Sequence, residues 1–309
     1  MTRVLASKPG TNEFIKFLVE EDMALSWKRD HSLTANSRFF ATNLPLRRVK
    51  CIFLILAVSL LFGSEAFADS LPVIQVPRAA IAPAIDGHAD GPTWVHAAII
   101  HGLSPALGVK GAQDRIAGLP TDIRLLWDAD FLYMAFECRG GHIDADPNAK
   151  PGDLLYMHSA CEVFIDPVGD GRQYMEFQFS PFGQSVSVNH LVTAAPEYTS
   201  QGRLIQSFSD RNHWYFIEPK LDGLRVATSR DSANSSWSLT VAIPAGPILR
   251  RRGLDHYVPG GLRANFARHE FQPNPASGKP TLFPMYWSPV LFGCPHISAD
   301  LMGHLQFDP

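Results

Sequence analysis

Glu162 and Glu176 are the carboxylates best placed to do chemistry, because each sits in a run that reads as a β-strand: Glu162-Val163-Phe164-Ile165 and Tyr174-Met175-Glu176-Phe177. A carboxylate facing a cleft accepts hydrogen bonds from paired hydroxyls, and two on neighbouring strands also resemble the acid and base of a glycoside hydrolase. Such pairs arise readily on adjacent strands without any catalysis. Arg268, in Asn265-Phe266-Ala267-Arg268-His269-Glu270, offers a planar fork of donors to a ligand, or an ion-pair partner to Glu162 or Glu176. Asp166 and Asp170 lie in the glycine-rich turn Asp166-Pro167-Val168-Gly169-Asp170-Gly171 and are candidate oxygen ligands for calcium, as are Asp128 and Asp130. None of them fits an EF-hand pattern.

Several chemistries find no motif. The chain has no Gly-x-Ser-x-Gly, no His-Glu-x-x-His and no glycine-rich phosphate loop. No Cys-x-x-C or Cys/His spacing suggests zinc. Met134, Met157, Met175 and several histidines could ligate haem iron, but no spacing selects an axial pair and no c-type attachment motif occurs, so haem is not expected. A net charge of −3 gives no electrostatic reason to expect nucleic acid. The reading is therefore of a binding protein rather than an enzyme.

The elements that must position these residues follow a short export signal. Arg47, Arg48 and Lys50 precede an apolar run from Cys51 to Phe62, and Ala66-Phe67-Ala68 supplies a small-residue cleavage pattern. Basic flank, short apolar core and A-x-A describe a secretory signal peptide over residues 47–68, too short to remain as a comfortable span. Residues 1–46 read as a structureless extension, and the true translation start is expected downstream, at Met23 or later, with a genuine long n-region as the alternative. Residues 69–309 are expected as one exported, monomeric domain in the periplasm or medium. Cys138, Cys161 and Cys294 remain in it; Cys138 and Cys161 each end a strand candidate and could pair, or all three could be buried thiols.

That domain reads as β throughout. Ile123–Trp127 and Phe131–Phe136 flank the turn Asp128-Ala129-Asp130 as a hairpin, and Val163–Ile165 with Tyr174–Phe179 make a second. Further strands are expected at Ser185–Val188, Trp214–Ile217, Gly223–Thr228, Trp237–Ile243, Leu262–Arg268 and Leu305–Phe307, with one short helix over 245–252. Trp94, Trp127, Trp237 and Trp287 are assigned as core or loop anchors. Residues 140–158 read as a long loop.

The order of these blocks resembles the family 9 carbohydrate-binding modules. Ile85-Asp86-Gly87 with Trp94, Trp127-Asp128 with Phe131-Leu132-Tyr133, Glu162-Val163-Phe164-Ile165-Asp166, Ser180-Pro181-Phe182-Gly183, Ile243-Pro244, Asn265-Phe266-Ala267-Arg268 and Trp287-Ser288-Pro289 fall in the family's sequence from about residue 80 to the C-terminus. The resemblance implies an antiparallel, jelly-roll-like β-sandwich that binds a saccharide, often with structural calcium. It implies ligand contacts by Glu162 and by two stacking tryptophans. Here Tyr156 stands in the loop before Glu162, His296 stands in the loop after Trp287, and Gln178 occupies a strand position where the family carries arginine. A sugar ring presents an apolar C–H face that packs on an aromatic plane, so Tyr156 is the candidate platform. Glu176, Gln178, Arg268 and His296 complete the expected ligand set. A haem-binding domain, or an envelope protein-interaction domain without a sugar site, are the alternatives.

Overall fold

The computed structural model describes residues 71–107, 119–192, 213–274, 278, 280–291 and 293–309. The expected signal peptide over 47–68 and the expected extension over 1–46 lie outside the described residues.

Alternation of apolar and polar side chains builds two sheets. The first strands are β1 (Val73–Val76), β2 (Ala98–His101) and the two-residue β3 (Ser104–Pro105). The expected hairpin follows as β4 (Thr121–Trp127) and β5 (Phe131–Cys138). Its turn is held by Asp128, whose Oδ1 accepts from the amides of Asp130 (2.9 Å) and Phe131 (2.8 Å) and whose Oδ2 accepts from the Tyr133 hydroxyl (2.6 Å). The second hairpin is β6 (Ala160–Asp166) and β7 (Gln173–Phe179), and β8 (Ser185–Val192), β9 (His213–Glu218), β10 (Arg225–Asp231) and β11 (Ser236–Pro244) follow. The expected short helix is α1 (Ala245–Leu249), continued by a 3-10 turn over Arg250–Arg252. β12 (Gly260–Gln272), β13 (Thr281–Tyr286) and β14 (Gly303–Phe307) complete the order.

The larger sheet has nine strands along the path β1-β14-β12-β6-β7-β8-β9, with β13 on β12 and β3 on β13. The smaller has five, in the order β10-β11-β5-β4-β2. Among the described strands all pairs are antiparallel except β1 with β14, which run parallel, with Val73 beside His304 and Val76 beside Phe307. The sandwich is thus all-β and antiparallel apart from this edge, where β14 offers Val73–Val76 a free side.

The main core lies between the sheets. Ile123, Leu125 and Trp127 of β4 meet Val163 and Ile165 of β6, Phe177 of β7 and Phe266 of β12 in one buried cluster. Each such side chain contributes about 1.5–3 kcal/mol by leaving water. Trp127 stacks on Phe307 at 5.2 Å between ring centroids. Trp94 is buried instead on the other face of the smaller sheet, with Leu126 and Tyr133. Cys138 and Cys161 face each other across the core as unbridged thiols, Sγ to Sγ 3.5 Å. Gly87 of the Asp-Gly turn has φ +91°, and a Cβ there would stand 2.6 Å from the Thr228 carbonyl carbon. Only glycine satisfies both conditions.

Candidate functional site

Strand parity decides which side chains share a face. The odd-numbered residues of β6 and β7 fill the core, so Glu162, Glu176 and Gln178 project from the opposite, outer face of the larger sheet. Register then makes them neighbours: Glu162 lies directly across from Gln178, and Glu176 is across from Phe164. On the far side of β7, Tyr174 is across from His190 of β8, which is across from Tyr215 of β9. On the other flank, Ala267 of β12 pairs with Glu162, and His269 pairs with Ala160. Two segments overlie this floor. The one before β6 carries a 3-10 turn at Leu155–Met157, and the one after β13 carries another at Pro295–Ile297.

Hydrogen bonds tie the first segment to the floor. Gln178 Oε1 accepts from the backbone amides of Leu155 (2.6 Å) and Tyr156 (3.1 Å), while its Nε2 donates to Glu176 Oε1. The Tyr156 carbonyl accepts from His269 Nδ1 at 3.1 Å. Tyr156 is thereby gripped through its backbone on both sides, with its ring half-buried. Its hydroxyl is pushed up to about 12 by burial and by the nearby Glu176 and Glu162 carboxyls.

Glu162 is 2% exposed. Its Oε2 lies 3.3 Å from His269 Nε2, and its Oε1 is buried without a hydrogen-bond partner among the described residues. Burial, then the Glu176 carboxyl, raises its pKa well above the ordinary carboxylate value. Burial lowers that of His269. His269 Nδ1–H is spent on the Tyr156 carbonyl, so its Nε2 presents a lone pair toward Glu162.

The other half of the floor is aromatic and imidazole-rich. His190 Nε2 donates to Glu176 Oε2 at 2.7 Å, and His190 Nδ1 lies 2.8 Å from His213 Nε2. His296 Nδ1 lies 2.8 Å from the Tyr174 hydroxyl, and its Nε2 is 3.8 Å from Glu176 Oε2. The His190 and Tyr174 rings stack at 4.8 Å. Burial lowers the His190 pKa to about 3, and burial with the neighbouring His190 lowers that of His296 well below its usual value. Burial thus disfavours the charged forms of Glu162, His190, His269 and His296.

The structure thus brings Tyr156, Glu162, Glu176, Gln178 and His296 together on one face. Arg268 is not among them. Its parity is that of Phe266, so it points between the sheets, fully buried, opposite Cys161. There its Nη2 donates to Glu270 Oε2 (2.9 Å) and to the Gly140 carbonyl (2.9 Å), and its Nη1 to the Arg139 carbonyl (3.0 Å). The expected ligand contact, or ion pair with Glu162 or Glu176, is replaced by a structural pair with Glu270. Asp166 accepts three amides of its own turn, from Val168, Gly169 and Gly171. Asp170 accepts those of Arg172 and Gln173 and pairs with Arg251 at 3.1 Å. Hydrogen bonding to the turn accounts for both aspartates, and Arg251 opposes a dication at Asp170.

Sequence reasoning missed His190, His213 and His269. Within a strand the signal was present: His190 alternates with Val188 and Val186. What no single strand carries is the register that sets these histidines beside Glu162 and Glu176.

Comparison with known proteins places the fold. No curated protein is similar enough to match. A candidate carbohydrate-binding protein from Bacteroides uniformis superposes with a TM-score of 0.51 at 15% identity, over 76% of this chain and 99% of its own. A family 9 carbohydrate-binding module from Caldicellulosiruptor kristjanssonii, solved with cellotriose, gives a TM-score of 0.45 at 12% identity, over 77% of this chain and 94% of its own. Residues 85–245, from the Asp-Gly turn at Gly87 through β11, match the family model described as carbohydrate family 9 binding domain-like, and the chain belongs to that family.

Proposed function

We propose that the chain is an exported, non-catalytic saccharide-binding protein whose site is the outer face of the larger sheet between the Leu155–Met157 and Pro295–Ile297 turns. The observation that carries the reading is the unpartnered Glu162 Oε1, buried beside the half-exposed Tyr156 ring in a member of this family. A sugar supplies what that floor lacks, namely a hydroxyl for Glu162 and a C–H face for Tyr156. His296, at the rim with its side chain 21% exposed, is the second contact. Glu176 and Gln178 act behind them, fixing the loop that carries Tyr156. A hydrolytic dyad is disfavoured, because the Glu176 oxygens are already committed to Gln178 and His190. The basic, apolar and A-x-A succession over residues 47–68 supports export to the periplasm or medium.

Glycan-array screening followed by calorimetry on the purified chain tests this. Binding of a neutral saccharide is expected, weakened at least ten-fold by Tyr156→Ala and by Glu162→Gln while both variants stay folded. Absence of binding to every saccharide offered, or binding indifferent to both substitutions, overturns it.

A further inference from the structure

The imidazole half of the floor has a geometry that saccharide binding does not require. His190 of β8, His213 at the start of β9 and His296 of the Pro295–Ile297 turn come from three separate elements, yet one ring nitrogen of each lies within 4.8 Å of those of the other two. Their ring centroids are 4.6 to 5.4 Å apart.

Two of the three rings are also oriented from behind. The Glu176 carboxylate can only accept, so His190 carries its proton on Nε2 and turns the Nδ1 lone pair toward His213. The Tyr174 hydroxyl holds Nδ1 of His296, whose Nε2 lies on the Glu176 side, 3.8 Å from its Oε2. A carboxylate or hydroxyl on the remote nitrogen is the outer-shell arrangement that metal-binding histidines use. Imidazole donors select first-row transition ions over calcium or magnesium, which take oxygen. We infer that His190, His213 and His296 form a site for one divalent first-row transition-metal ion, with Glu176 and Tyr174 as the groups that hold two of its ligands in position.

Three imidazoles leave a fourth coordination position. His213 and His296 are half-buried rather than sealed, so that position is the one nearest solvent, and a water or a ligand hydroxyl fits it.

The test needs no saccharide. The full chain is stripped with chelator and titrated with Zn2+, and separately with Co2+ to read the ligand-field spectrum. One ion per chain is expected, with a cobalt spectrum of imidazole coordination and a rise in melting temperature on zinc addition. His296→Ala, at the half-exposed rim, is expected to weaken binding at least 100-fold without unfolding the chain. Glu176→Gln and Tyr174→Phe each weaken it about 10- to 100-fold, as losses of outer-shell partners do. No stoichiometric zinc binding, or equal affinity in wild type and His296→Ala, overturns the inference. Zinc binding that survives Tyr156→Ala while saccharide binding is lost separates this site from the saccharide reading, so either can fail without the other.

Discussion

Replacing Arg268 by alanine should unfold this protein readily and leave its ligand preference untouched. The arginine is fully buried, and its partner Glu270 has a side chain 2% exposed. Burial already pushes the Glu270 carboxyl up, with Arg268 holding it down. Without the guanidinium, the carboxyl escapes its unpaired charge by taking a proton. From the ordinary value of 4.5 to neutral pH that costs about 3.4 kcal/mol, at about 1.36 kcal/mol per unit. The Arg139 and Gly140 carbonyls also lose their donor, but both are at part-buried positions where water can replace it, so they add little. A loss of about 3–5 kcal/mol at pH 7 is therefore expected, the range for breaking one side of a buried ion pair. The sign of the pH dependence follows. A carboxyl raised in the folded state weakens folding as pH rises above its unfolded value. The variant's deficit should thus shrink by up to about 2.7 kcal/mol between pH 7 and pH 5. Urea unfolding at both pH values measures this, with Arg268→Ala/Glu270→Gln as the control that removes the pH dependence. A variant as stable as wild type that loses saccharide binding would refute the assignment of Arg268 to the core.

Glu162→Gln should do the opposite. The Glu162 carboxyl is raised by burial and Glu176, so it destabilises the fold progressively above 4.5, by about 1.4 kcal/mol per unit until its folded value is reached. The glutamine variant should melt higher than wild type at pH 8 and gain little at pH 4; an equal or larger gain at pH 4 would contradict a Glu162 carboxyl raised by burial. Gly87→Ala places a methyl 2.6 Å from the Thr228 carbonyl carbon at φ +91° and should cost at least about 1–3 kcal/mol. Denaturation midpoints read it, and an unchanged midpoint would mean that the turn moves freely against β10.

The strands were legible because their residues alternate, and both hairpins announce themselves through short acidic turns between aromatic runs. Glu162 and Tyr156 could be placed in one site from the order of motifs. Arg268 could not be placed, since the sequence shows that Phe266 and Arg268 share a face but not that a buried carboxylate waits there two residues further on. β2, β3 and β13 were also missed. The first two are short, and β13 contains Pro284, which a ladder tolerates only at a position that need not donate. The histidine cluster depends on register across β7, β8 and β9 and on a turn more than eighty residues later, so no local pattern reports it.

The parallel pairing of β1 with β14 makes the two ends of the ordered domain mutually dependent during synthesis. Until Gly303–Phe307 emerges, Val73–Val76 has no partner and the Gly260–Ala264 end of β12 presents an open edge. A nascent chain stalled short of those final residues therefore exposes two unsatisfied strand borders at once, each a template for another chain. β14 latches the fold, and loss of its five residues unfastens β1 as well.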